Sequence, residues 1–280
     1  MTSPYRLALL TDPPTWCGTV LSGRSLDLLT ALAGSRDARM SDGALIEALW
    51  PGDLPAQPLR ALHVVVSRVR AVVGEGSVER SGDGYRLALP KTDVDVRDLS
   101  DRAERARACA VAGQWEQVLD LTDSLPQVPA CADADNTLGA GATPVARLRE
   151  RAARQAEEAR RDRGLALEAA GEHERAVALL REASQRDSGD ETVLAALMRA
   201  ESWVRSPAAA LEIYEQYRRW LRERGAVPGP AMRAAHETVL ATESPVRHGL
   251  EPEPEHFLGR ETDVTGVLKA LSTHRLVTLT

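Results

Sequence analysis

The stretch Pro58-Leu59-Arg60-Ala61-Leu62-His63-Val64-Val65-Val66-Ser67-Arg68-Val69-Arg70-Ala71-Val72-Val73-Gly74 decides how the N-terminal part of this chain folds. Pro58 suits the first turn of a helix, because its missing N–H is one that the helix would leave unpaired, and Gly74 suits the stop. Between them Leu59, Leu62, Val66, Val69 and Val73 recur at spacings of 3, 4, 3 and 4. That period draws one apolar stripe along a helix and predicts a buried face. The opposite face carries Arg60, His63, Val64, Ser67 and Ala71, flanked by Arg68 and Arg70. Residues 56–73 hold three arginines and no acid, whereas residues 1–90 hold nine basic and nine acidic side chains. Positive charge is therefore focused on one helix.

Reading outward, Ser77-Val78-Glu79-Arg80 and Tyr85-Arg86-Leu87-Ala88-Leu89 form two strands joined by Ser81-Gly82-Asp83-Gly84, a hairpin with glycines where positive φ is needed. Upstream, Ser41 is a good N-cap, and Met40 and Leu45 stand at the positions of a hydrophobic staple. The helix it opens has Leu45, Ile46 and Leu49 on its apolar face and ends at Trp50-Pro51-Gly52. An earlier helix runs from about Ser25 to Ala33 and stops at Gly34, after candidate strands at Tyr5–Leu10 and Thr15–Leu21. Strands, three helices and a terminal hairpin make a winged helix-turn-helix, with 41–50 and 58–73 as its helix pair.

Residues 95–243 are alanine-rich, helical and nearly free of strand signals, which places a boundary near Pro90 to Asp95. Ala176, Leu179 and Leu180 recur 34 positions later as Ala210, Ile213 and Tyr214. That is the tetratricopeptide period, in which each unit is a helix pair that buries its apolar face only by stacking on a neighbour. Ala112-Gly113-Gln114-Trp115-Glu116-Gln117-Val118 fits the turn of an earlier pair, and Pro126 to Val145 is loop-like. Arg147 to Arg163, with seven arginines and four acids, reads as a solvated helix with i,i+4 pairs. The fold class is thus mainly α, with a small α+β N-terminal domain followed by a tetratricopeptide-like helical repeat. The expected domains are 1–92, 93–243, a Pro- and Glu-rich linker at 244–255, and a further segment at 256–280.

The 280-residue chain has 35 basic and 41 acidic side chains and a net charge of −6. That balance argues against bulk coating of nucleic acid, though not against a local basic face. No run is long and apolar enough to span a membrane, and the first residues do not form a signal peptide, so a cytoplasmic protein is expected. Cys17, Cys109 and Cys131 are far apart and in no CxxC pattern, which signals neither disulfides nor zinc. No HExxH or GxSxG occurs, and no catalytic, cofactor or metal residues are expected.

Ala61-Leu62-His63-Val64-Val65-Val66-Ser67-Arg68-Val69-Arg70, with Gly82-Asp83-Gly84-Tyr85-Arg86-Leu87, resembles the effector domain of response regulators of the OmpR/PhoB type. With Asp42-Gly43-Ala44-Leu45-Ile46-Glu47-Ala48-Leu49-Trp50 before it, the segment is similar to the Streptomyces antibiotic regulatory protein family. Leu197-Met198, Ala210-Leu211-Glu212-Ile213-Tyr214 and Leu221 to Pro230 resemble the bacterial transcriptional activation domain that follows the DNA reader in that family. His256-Phe257-Leu258-Gly259-Arg260-Glu261 and Arg275 to Thr280 resemble the entrance to an NB-ARC/AAA-type ATPase domain, cut short of a phosphate-binding loop. ATP is then expected only for a longer parent protein.

The resemblance implies a transcriptional activator that reads double-stranded promoter DNA with helix 58–73 in the major groove and recruits RNA polymerase, as a homodimer on DNA. It implies that Arg60 contacts phosphate or a base edge, that His63 and Val64 face bases, and that Ser67, Arg68 and Arg70 meet phosphates or bases. In the wing it points to Arg80 and Ser81, with Asp83 repelling phosphate and weakening the minor-groove contribution. Pro51, Gly52, Asp53, Leu54 and Pro55 fall where related proteins meet polymerase. The bland alternatives are a solvated helix face for the arginines and a rigid proline-bracketed turn for the loop. A signalling ATPase or adaptor fragment whose repeats bind a protein partner without DNA binding is the alternative for the whole chain.

Overall fold

The computed structural model describes residues 3–129 and 143–243, together with Lys269. The linker expected at 244–255, Cys131, and all but Lys269 of the segment at 256–280 lie outside these residues.

The N-terminal part opens with a small meander of three two-residue strands, β1 (Leu7–Ala8), β2 (Thr15–Trp16) and β3 (Thr19–Val20), each antiparallel to the next. The single strand expected at Thr15–Leu21 is thus a tight hairpin. Cys17 and Gly18 both take positive φ, 44° and 83°, and turn the chain between Trp16 and Thr19. Tyr5–Leu10 pairs as a strand only at its centre, because the next two amides are taken elsewhere. Leu9 N and Leu10 N donate to the Asp95 carboxylate at 3.0 and 2.7 Å.

Helices α1 (Gly23–Ala33), α2 (Asp42–Leu49) and α3 (Pro58–Val73) follow, with a strand β4 (Arg39–Ser41) before α2. Ser41 caps α2, its hydroxyl accepting from Ala44 N at 3.3 Å. The wing hairpin comprises β5 (Val78–Ser81) and β6 (Gly84–Leu87), and β4 pairs with β6 to complete a sheet ordered β4-β6-β5. Gly84 is obligatory there, since a Cβ would fall 1.9 Å from the Met40 carbonyl oxygen. On α3 the buried stripe is Leu62, Val65, Val66, Val69 and Val73. Leu59, expected in that stripe, is 54% exposed: it lies in the first turn, beside the exposed loop that precedes the helix, and Val65 widens the stripe instead.

The helical part continues as α4 (Asp95–Val111), α5 (Trp115–Thr122), α6 (Pro144–Ala169), α7 (His173–Arg186), α8 (Glu191–Val204), α9 (Pro207–Arg222) and α10 (Pro230–Glu243). The 34-residue period holds in space. Ala176, Leu180 and Ala210 are fully buried, with Leu179, Ile213 and Tyr214 packed at the edges of the same cores. The expected turn at 112–114 joins α4 to α5, with Gly113 at φ 71°.

The change of architecture near residue 93 is not a break in packing. One core runs from Leu7, Leu28 and Leu62 through Val94, Val96 and Leu99 to Leu148, Ala152 and Ala156. Leu7 bridges to Val94, Tyr5 Oη donates to Asp98 at 2.8 Å, and Arg149 of α6 donates from Nε to the Leu9 carbonyl at 3.0 Å and from Nη2 to that of Thr11. Arg147 to Arg163 is accordingly no simply solvated helix. Asp162 is 1% exposed and bound by Arg107 at 3.0 Å and Arg161 at 2.7 Å, because α6 is covered by helices on both flanks. Arg161 also holds Asp190 at 2.6 Å.

Asp95 is the chemical centre of this junction. Burial raises its pKa above the ordinary 3.8, and the amides of Leu10, Leu9 and Val96 oppose that rise. Replacing it leaves the amides of Leu9 and Leu10 without acceptors, at a cost of about 1–3 kcal/mol for a buried donor. Asp95→Ala should therefore lower the unfolding free energy by about 2 kcal/mol or more in chemical denaturation. A native pKa above the unfolded one means that Asp95 contributes more to stability as pH falls. The gap between wild type and Asp95→Ala should widen as pH drops from neutral through the ordinary aspartate range.

Candidate nucleic-acid interface

Helix α3 is anchored by its stripe against α1 and α2, so its other face must point outward. Arg60, His63, Val64, Ser67 and Arg68 are all exposed, Val64 at 45%. Arg60 reaches only Gln57, at 3.5 Å, and the side chains of His63, Ser67 and Arg68 have no hydrogen-bonding or ionic partner among the described residues. This face offers free donors next to an aliphatic side chain, with no acid on the helix. A helix of this kind matches the major groove, where arginine can donate twice to guanine and an aliphatic group can touch a thymine methyl.

The other expected contacts are placed differently. Arg70 is half-buried, its Nε donating to the Val78 carbonyl at 2.8 Å and its guanidinium 5.8 Å from the Tyr85 ring centroid. It ties α3 to β5. Arg80 makes a bidentate pair with Asp42, both bonds at 2.8 Å, and lies 4.9 Å from the same ring. The hydrogen bonds to Asp42 raise its pKa further. The wing arginine is thus committed to the N-terminus of α2, where an aspartate also suits the helix dipole. Ser81 is half-buried, at the register position facing Gly84.

Asp83, expected to repel phosphate, is itself paired: Arg39 Nη2 donates to it at 3.1 Å. Arg39 lies over the wing turn, so that a Cβ on Gly82 would meet its guanidinium at 2.6 Å. Arg39 is a wing cation that the sequence reading left out. Finding it requires knowing that residues 39–41 form a third strand beside the hairpin.

The loop Pro51–Pro55 is exposed except at Pro55, which is half-buried, and Leu54 is 62% exposed. With Gly43, Ile46, Glu47 and Trp50 it borders a groove of about 580 Å³ on the surface of α2. Among the described residues no group of three or more histidine, cysteine or acidic side chains could hold a metal, and no helix is long and apolar enough to cross a membrane. Cys17 is exposed and Cys109 half-buried, both as free thiols.

The architecture is thus a winged helix-turn-helix fused to stacked helix pairs. Residues 94–240, more than half of the chain, match the bacterial transcriptional activator domain, and the chain belongs to that family, as carried by the Streptomyces antibiotic regulatory proteins. The regulatory protein AfsR of Streptomyces griseus is 30% identical over 269 residues, covering 89% of this chain and 26% of that protein. AfsR of Streptomyces coelicolor is 33% identical over 104 residues, covering 34% of this chain and 10% of that protein. The chain spans about a quarter or less of the length of these relatives. The solved structure of Mycobacterium tuberculosis EmbR, in complex with a low-affinity phosphopeptide, has the same fold, with a TM-score of 0.63 over 95% of this chain and 71% of that one at 22% identity.

The pairing of Arg80 with Asp42 yields a test. Asp42→Ala releases the Arg80 guanidinium beside the wing, and each additional phosphate contact steepens log K against log salt by about 0.9. Binding of the variant to a short duplex of arbitrary sequence should strengthen at low salt and show that steeper slope in an anisotropy titration. An unchanged slope would place the wing away from DNA.

Proposed function

We propose that this chain is a DNA-binding transcriptional activator that reads promoter DNA with α3 in the major groove. The observation that carries the proposal is the outward face of α3. Arg60, His63, Val64, Ser67 and Arg68 stand exposed on a helix held rigidly by five buried side chains, with no acid among residues 56–73. Arg68, whose guanidinium has no internal partner, is the strongest candidate for a base contact, and Arg60 in the first turn for a phosphate or base edge. Arg70 and Arg80 act as positioning residues that fix the wing against α3 and α2. Arg39 and Ser81 stand at the wing for backbone contacts. The overall net charge of −6 sets no obstacle, because recognition depends on the local field of the reading face.

The loop Pro51–Pro55, with exposed Leu54 beside an open groove, is the proposed RNA polymerase contact. Two copies bound to tandem sites complete the reading. Support comes from the family to which residues 94–240 belong and from the regulatory relatives matched along nearly the whole chain.

Two variants separate the roles. Arg68→Ala should weaken binding to a selected site by on the order of 1–3 kcal/mol and relax preference at one base pair, read by anisotropy titration. Leu54→Ser should leave that affinity unchanged and lower transcription from a linked promoter in a purified polymerase assay. Full affinity in Arg68→Ala would remove α3 from the interface, and full transcription with Leu54→Ser would remove the loop from polymerase recruitment.

A further inference from the structure

The turn between α1 and β4 meets the helical array beside a group of arginines that DNA reading does not use. Gly34 ends α1 against α6, where a Cβ would fall 2.8 Å from Leu148 Cδ1 and 2.9 Å from Arg151 Nη2. Two contacts that each span 55 positions, Gln155 with Ser100 at 3.1 Å and Arg107 with Asp162 at 3.0 Å, show that α4 and α6 run side by side in the same direction. That register puts Arg97 level with Ala152, next to Arg151. Asp37 acts electrostatically on Arg97, and Arg36 stands between Gly34 and Asp37 in the turn. Arginines from the winged helix, from α4 and from α6 therefore converge on residues 34–37.

None of the three is spent on an internal contact. Arg36 and Arg151 are exposed, Arg97 is half-buried, and none has a hydrogen-bonding or ion-pairing partner among the described residues. Burial lowers the pKa of Arg97, and Asp37 and Asp101 oppose that shift from a distance. Asp101 is itself held by Lys91 and Arg105, which leaves Asp37 against three cations. A guanidinium partly withdrawn from water with no oxygen on it is costly, and a bound anion removes that cost.

Cations also gather at helix C-termini, where they answer the dipole. Here the carbonyls that end α1 are served from within the turn: Gly34 N donates to Thr30 O at 3.0 Å, Ser35 N and Oγ to Leu32 O at 3.2 and 2.8 Å, and Ala38 N to Ser35 O at 3.2 Å. The arginines cap nothing. The planar fork of a guanidinium matches the oxygens of a phosphate two at a time, and three forks around one turn suit a compact dianion. Helix α1 lies between α3 and α6, so the cluster stands on the side of α1 away from the outward face of α3. A small ligand fits that position better than the duplex.

We propose that Arg36, Arg97 and Arg151 form a site for a phosphate dianion, free or carried by a small ester, where the winged helix meets the array. Each guanidinium donates to phosphate oxygens, and the bound ion ties the turn at 34–37 to α4 and α6. The site uses no residue of α3, so its success or failure is independent of DNA reading.

Inorganic phosphate and phenyl phosphate are the probes, each titrated by calorimetry into the 280-residue chain at constant ionic strength and about pH 8, where a phosphomonoester is a dianion. The expected result is saturable binding with Kd at or below about 1 mM, weakened about tenfold or more in Arg36→Ala, Arg97→Ala and Arg151→Ala. Arg222→Ala, which removes an exposed arginine at the end of α9, should bind as wild type does. Tighter binding of phenyl phosphate identifies an ester as the ligand and tighter binding of inorganic phosphate the free ion, and either supports the site. Far-UV circular dichroism checks folding, and Arg36→Ala and Arg151→Ala change exposed side chains, which keeps the test decisive if Arg97→Ala does not fold. The proposal is overturned if neither probe saturates, if Arg36→Ala and Arg151→Ala bind as well as wild type, or if Arg222→Ala weakens binding as much as they do. It is overturned equally if these variants lower the salt slope of duplex binding, which would make the cluster a DNA contact.

Discussion

The buried carboxylate of Asp95 holds the two halves of this molecule in one piece. It closes the hydrogen bonding of Leu9 and Leu10 at the end of β1, while Arg149 takes up the Leu9 and Thr11 carbonyls from the other side. Backbone polar groups at a strand end must be paired when they are buried, and here α4 and α6 supply the partners. The first helices of the array therefore serve as the missing edge of the N-terminal sheet. A tether would leave the winged helix free to reorient, whereas this junction carries it as part of a continuous core.

That rigidity explains how a chain of net negative charge can present a basic face. The interior of the array confines its charges to pairs, such as Arg199 with Glu168 at 2.7 and 2.8 Å and Arg161 with Asp190. The wing does the same with Arg80 on Asp42 and Arg39 on Asp83. On α3, Arg60 and Arg68 stand without an acidic partner among the described residues. Burial of five aliphatic side chains fixes which way that face points, and the hairpin, held by Arg70 and Tyr85, fixes what stands next to it.

Much of this was legible in the sequence, because the features that define α3 are local. Pro58, Gly74 and the 3-4 spacing specify a helix and its buried side, and Ser41 specifies the start of α2. The 34-residue recurrence of Ala176 at Ala210 likewise announced stacked helix pairs. What escaped depends on residues far apart in the chain. Asp95 meets Leu10 across 85 positions, and nothing near it marks it as buried. Arg70 and Arg80, expected to face DNA, also tie α3 to β5 and the wing to α2 through partners 8 and 38 positions away, and Arg39 became visible only with β4. Leu59 fits the apolar period but lies in a first turn that the core does not cover.

The central claim is that α3 reads bases in the major groove. Dimethyl sulfate methylates guanine at N7 in the major groove and adenine at N3 in the minor groove, so methylation interference distinguishes the two. Duplexes enriched from a random library by this chain should lose binding when particular guanines carry N7 methyl groups, and the interference at one of them should vanish with Arg68→Ala. Interference confined to adenine N3, or a library from which no sequence is enriched, would contradict the account.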